Sequence, residues 1–180
     1  MAKQVNSTYG DALFQLAVER NKVDEIYDEL KGLIKVLDQN EDLLRVLTHP
    51  EVVKEEKITL VKNVFEGRVS DEVMGTLMIV VQNDRTTSMK SILNYVIDQI
   101  KEYKKIGVAY VSSAFLLSDD QKKKIEKRLL ETTDYQSMEL HYVVDQSLIG
   151  GMVIRMEDRV VDSSILHQLE RMSSALSQGK

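Results

Sequence analysis

The sequence contains no cysteine and no tryptophan, and only one proline among its 180 residues. Without cysteine there can be no disulfide, no thiolate metal ligand and no cysteine nucleophile. That suits a reducing compartment and is compatible with any other. An excess of basic charge is also missing: 24 Lys and Arg face 29 Asp and Glu, for a formal net charge of −5. A dedicated nucleic-acid surface would show a basic face, so the balance argues against one. The basic cluster Lys122, Lys123, Lys124, Lys127 and Arg128 wraps around a helix and reads as solvated surface. No apolar run approaches the ~20 residues that span a bilayer, and no signal-peptide core is visible. The expectation is a soluble chain that meets a membrane only through partners.

Reactive constellations are equally scarce. His49, His141 and His167 have no second ligand at i+3 or i+4, so neither HxxxH nor HExxH occurs. There is no GxxxxGK[ST] loop, no GxGxxG fingerprint and no GxSxG elbow. Gly150-Gly151 precedes a strand and opens no helix, which reads as a tight turn or bulge. Neither a cofactor nor a metal is expected, and catalysis by this chain alone is not expected either.

What is present is helical periodicity. Hydrophobic residues make up 43% and charged residues 29%, ordinary values for a globular protein with room for one large domain or two small ones. Tyr9, Ala12, Leu13, Leu16 and Ala17 share one helical face, and Val23, Ile26, Tyr27, Leu30, Ile34 and Leu37 repeat the pattern after Asn21, a potential N-cap. A short helix from Asp42 to Leu47 stops at Thr48-His49-Pro50, and Pro50 fits the first turn of a fourth helix that Gly67 ends. Ser70 can cap a fifth helix reaching Gln82, followed by a polar break and a sixth helix carrying Met89, Leu93, Val96, Ile100 and Tyr103. The fifth helix is apolar nearly all round through Val73, Met74, Leu77, Met78, Ile79, Val80 and Val81. Such a helix is either central to its bundle or lends one face to a partner. With the first helix it could form a groove for a third, amphipathic helix.

After Gly107 the period changes from 3.6 to 2. Val108, Tyr110 and Ser112 alternate as a strand, and Ser118-Asp119-Asp120-Gln121 forms a capping box that opens a helix to about Glu131. Alternation returns around Met138–Val144 and Met152–Met156, and Ile165, Leu169, Met172 and Leu176 resume helical spacing. The fold class expected is α+β: a six-helix bundle over 1–105, then a strand-helix-strand-strand-helix domain over 106–180.

The stretch Asp145-Gln146-Ser147-Leu148-Ile149-Gly150-Gly151-Met152-Val153-Ile154-Arg155, followed by Asp158-Arg159-Val160-Val161-Asp162-Ser163-Ser164-Ile165, resembles the signature of ATP synthase delta subunits. The mitochondrial oligomycin-sensitivity-conferring protein shares this signature. Tyr9-Gly10-Asp11-Ala12-Leu13-Phe14 resembles the family's opening Y-A-x-A-L-F segment, and the likeness covers essentially the whole chain. Departures fall at Gly10, Gln146, Glu157 and Ser163, where many members carry alanine, proline, glycine and glycine respectively.

The resemblance implies a non-catalytic connector of the F-type ATP synthase on the cytoplasmic face of a bacterial membrane. It implies that Tyr9, Ala12, Leu13, Leu16, Leu77, Met78 and Val81, on the first and fifth helices, hold the N-terminal helix of an alpha subunit. Asp145, Gly150, Gly151, Asp158, Asp162, Ser164 and Ile165 are the family-motif positions. The C-terminal helices of the stalk's b subunits would meet the second domain, with Ile165, Leu169, Met172 and Leu176 either contributing or packing in its core. A generic helical adaptor for some other amphipathic helix is the alternative.

Overall fold

The computed structural model describes residues 2–156 and 159–177. Within them lie eight α-helices and four strands, and the chain divides into two compact units, Met1–Ile100 and Lys101–Lys180.

The first unit begins with α1 (Ala2–Glu19), α2 (Val23–Gln39) and α3 (Glu41–Thr48). It continues with α4 (Lys54–Phe65), α5 (Asp71–Gln82) and α6 (Met89–Tyr103), whose last turn belongs to the second unit. Apolar spacing explains the packing. Ile26, Leu30, Leu33 and Leu37 form the buried stripe of α2, and Met89, Ile92, Leu93, Val96, Ile97 and Ile100 that of α6. They meet Leu13, Ala17, Val61, Phe65, Val73, Leu77, Val80 and Val81 in one core.

Several local expectations are corrected. Asn21 does not cap α2: it takes a left-handed conformation at φ 54° and Lys22 precedes the helix. Pro50 lies in a turn after α3 and not in the first turn of α4, which begins at Lys54. Ser70 does stand at the N-cap of α5, but its hydroxyl donates to Glu29 Oε2 at 2.7 Å instead of closing the helix. A 3-10 turn over Thr86–Ser88 occupies part of the polar break. Gly67, at φ 74°, follows α4 in the left-handed conformation that ends helices cheaply.

The second unit is built on β1 (Ile106–Ser113), α7 (Asp119–Thr132), β2 (Ser137–Val144), β3 (Met152–Met156), β4 (Arg159–Asp162) and α8 (Ile165–Ser177). Strand order is β2-β1-β3-β4, with β1 parallel to β2 and antiparallel pairing elsewhere, so the sheet is mixed. The strand-helix-strand-strand-helix order read from periodicity therefore lacks one strand. β4 is four residues long, sits on the edge and exposes both Val160 and Val161, so it shows no period-2 burial. Ala109, Val111 and Ser113 alternate inward along β1, and Ile125 of α7 is buried as well. The capping box at Ser118 is present: Gln121 N–H donates to Ser118 Oγ at 3.3 Å, and the Gln121 side chain accepts from Ser118 N–H at 2.9 Å.

Candidate functional site: two uncovered apolar faces

α5 is apolar nearly all round, yet its two sides have different fates. Val73, Leu77, Val80 and Val81 are buried, while the row Gly75, Thr76 and Ile79 faces outward, Ile79 being 48% exposed. α1 does likewise: Leu13 and Ala17 enter the core, and Ala12 and Leu16 stay at the surface. Between the two helices lies a cleft of about 280 Å³ lined by Ala12, Leu13, Leu16, Gly75, Thr76 and Ile79, with Arg20, Asp71 and Glu72 also in its lining. A Cβ built on Gly75 would meet nothing within 4 Å, so the missing side chain widens the cleft.

The residues expected on this groove therefore separate. Ala12, Leu13 and Leu16 line it. Leu77 and Val81 are core residues at 1% and 0% exposure, and the half-buried Tyr9 and Met78 pack against that core. Thr76 and Ile79 were not expected on the groove, and Gly75 reads from the sequence only as allowing close approach of another backbone, in core or groove alike. Their spacing, offset from Leu77, Val80 and Val81, is the signal that could have found them.

The polar part of this lining is ordered. Glu72, almost fully buried in the first turn of α5, accepts from Arg20 Nη1 at 2.8 Å and Lys22 Nζ at 3.2 Å. Its own backbone N–H and these two cations outweigh burial and hold its pKa down to about 2. The same partnership raises that of Lys22, chiefly through the hydrogen bond to Glu72.

The family-motif residues have structural duties where three connections converge. Asp145 Oδ1 accepts from the Ser147 N–H at 3.0 Å and from the Ser147 hydroxyl, which lowers its pKa. Asp162 Oδ1 accepts from Ser164 N–H at 2.8 Å, and Ser164, itself buried, accepts from His167 N–H to open α8. Bonding to Ser164 likewise lowers the Asp162 pKa. A Cβ on Gly150 would come within 2.5 Å of Ile165 Cδ1, and Gly151 combines φ 77° with close approach to the Ser163 backbone. Only glycine fits both demands at position 151. Asp158 lies outside the described residues, as does the side chain of Leu176.

α8 leaves its apolar stripe in solvent, with Ile165 43%, Leu169 51% and Met172 64% exposed. None of the three is fully buried within the unit, although Ile165 packs against Gly150. Among the described residues no group of three or more His, Cys, Asp or Glu could hold a metal ion, and no helix is long and apolar enough to cross a membrane.

Fold and faces define a two-unit α+β interaction scaffold. The family model for the ATP synthase delta (OSCP) subunit matches residues 5–176. The chain is 45% identical over 176 residues to the ATP synthase subunit delta of Lachnoclostridium phytofermentans, covering 98% of this chain and 97% of the relative. It is 34% identical to that of Desulforudis audaxviator, over 98% and 96% of the two chains. A chain of the Toxoplasma gondii mitochondrial ATP synthase hexamer has the same fold, with a TM-score of 0.75 at 18% identity over 95% and 96% of the chains. The chain belongs to the ATP synthase delta (OSCP) subunit family. It is accordingly a non-catalytic, peripheral-stalk component of an ATP synthase.

Proposed function

We propose that the chain joins the alpha subunits of the catalytic head to the b subunits of the stalk at the cytoplasmic face of a bacterial membrane. Its first unit would take the N-terminal helix of an alpha subunit, and its second would meet the C-terminal helices of the b subunits. The observation that carries this reading is the apolar cleft between α1 and α5, bordered by Ala12, Leu16, Gly75 and Ile79. Its walls are helices anchored in the core by Leu13, Ala17, Val73 and Leu77, which supports a groove preformed for a third helix. The exposed Ile165, Leu169 and Met172 of α8 support the second contact.

Rotary catalysis loads both joints with torque, which calls for slow release rather than chemistry. Four apolar anchors contribute on the order of 6–12 kcal/mol gross. Ordering and association costs leave roughly micromolar to nanomolar affinity for one helix. Two joints in one chain add avidity where both engage.

The test is calorimetric titration with a synthetic peptide from the N-terminus of the same organism's alpha subunit. One-to-one binding, lost in Leu16→Asp and in Ile79→Asp while the variants stay folded, supports the groove. Unchanged binding in both variants would mean that this peptide docks elsewhere.

A further inference from the structure

The α1/α5 cleft is not apolar throughout. Ala12 and Leu16 of α1 and Gly75 and Ile79 of α5 give it an apolar lining, and at helical spacing beyond them Arg20, Asp71 and Glu72 form a polar end. Glu72 is the residue at odds with its surroundings. Its side chain is 2% exposed, yet only Oε1 is engaged, by Arg20 Nη1 at 2.8 Å and Lys22 Nζ at 3.2 Å. Oε2 is closed to solvent and has no hydrogen-bond partner. The Glu72 backbone N–H, which also lowers the pKa, leaves that oxygen unbonded. A buried acceptor left unbonded is costly, the more so when it is charged.

The chain has no donor of its own to spare there. Thr76, one turn further along α5, spends its hydroxyl on Glu72 O at 3.0 Å. The Asp71 carboxylate only accepts, and Arg20 and Lys22 converge on Oε1. Arg20 is the movable part of the wall: its side chain is 56% exposed and holds Glu72 through one nitrogen, so it can swing aside while Lys22 keeps Oε1. Charge selects the kind of donor. Asp71 in the lining and Glu25 near Lys22 are further acids at this end. Arg20 and Lys22, however, stand against the carboxylate itself and repel a third cation at contact distance. A hydroxyl of Ser or Thr, or an amide of Asn or Gln, meets no such repulsion.

We infer that Glu72 is a specificity-determining residue of the cleft, its Oε2 accepting a hydrogen bond from a neutral hydroxyl or amide side chain of the docked helix. The inference rests on the groove reading above. It adds one polar position that the docked helix carries at the Arg20 end of its apolar stripe.

The test is calorimetric titration of the full chain with the alpha-subunit peptide and with peptides in which each Ser, Thr, Asn or Gln becomes Ala in turn. One such replacement is expected to weaken binding by about 10-fold, the worth of a hydrogen bond to a charged group. Glu72→Gln should turn its carbonyl toward Arg20 and Lys22 and present an amide NH2 in place of Oε2. In that variant the same replacement should cost about 2-fold or less, a coupling that a merely structural Glu72 would not show. Placing Lys at that peptide position should restore nothing in the wild-type chain. If Glu72→Gln does not fold, Glu72→Asp, whose carboxylate draws back by one methylene, should lose the coupling in the same way. An equal cost in the wild-type chain and the Glu72 variants, or no neutral position costing more than about 2-fold in the wild type, would overturn the inference. The groove reading would then still stand on the loss of binding in Leu16→Asp. A peptide that does not bind the wild-type chain removes the groove reading and the inference together.

Discussion

Two glycines on helices of the same unit give opposite forecasts. A Cβ on Gly10 would meet the Tyr95 ring, with Cε1 at 2.9 Å, and Tyr95 is held there by its hydroxyl donating to Asp11 Oδ1 at 2.8 Å. The close approach of Tyr95 leaves little room for a Cβ at position 10. Gly10→Ala should therefore destabilise by about 1–3 kcal/mol through overpacking. Gly75→Ala meets nothing and should stabilise by about 0.5–1 kcal/mol through helix propensity. Urea titrations of both variants check the pair. Glu72 gives a pH forecast. Its folded pKa, about 2, lies below the ordinary 4.5. The stability it contributes is thus complete above about pH 4.5 and is lost as pH falls toward about 2. Lys22 has the opposite sign: raised above 10.5, its contribution is present below that pH and is lost at higher pH. Glu72→Gln should flatten the acid limb of the urea midpoint between pH 5 and 3, whereas an unaltered limb would mean that other carboxylates set it.

At the scale of elements, α5 separates core from groove in a way that can be measured. Leu77→Ala should cost about 2–5 kcal/mol, because Leu77 is fully enclosed. Ile79→Ala should change stability little, since half of that side chain is already in water. Equal losses in the two variants would contradict the division. Most of the helices and the first three strands were legible in the sequence because they carry a clear period, 3.6 in α2 and α6 and 2 in β1. β4 was not legible by period, because four edge residues exposed on both sides leave no alternation to read, and only the family resemblance pointed to a strand there. The groove was half legible: α1 contributes Ala12, Leu13 and Leu16 as expected, but an all-apolar α5 does not say which side faces the core. Only the packing of α4 and α1 against it decides that Leu77 and Val81 go inward while Gly75 and Ile79 go outward. The family motif was legible as a pattern and opaque as physics. Asp145, Asp162, Gly150 and Gly151 turn out to fix the three connections that meet at one end of the sheet.

For the whole molecule, the central claim is that one chain serves two partners at once. Among the described residues each of its two units leaves an apolar surface uncovered, the α1/α5 cleft in one and the exposed stripe of α8 in the other. The direct measurement is sedimentation velocity of a labelled alpha-subunit N-terminal peptide, the full chain and the soluble half of the b subunit, mixed at equal concentrations. The account predicts that the peptide sediments with the b fragment only when the chain is present, and that Leu16→Asp or Leu169→Asp each weakens that co-sedimentation. If the b fragment displaces the peptide, or if either partner fails to bind the folded chain, the connector account is contradicted.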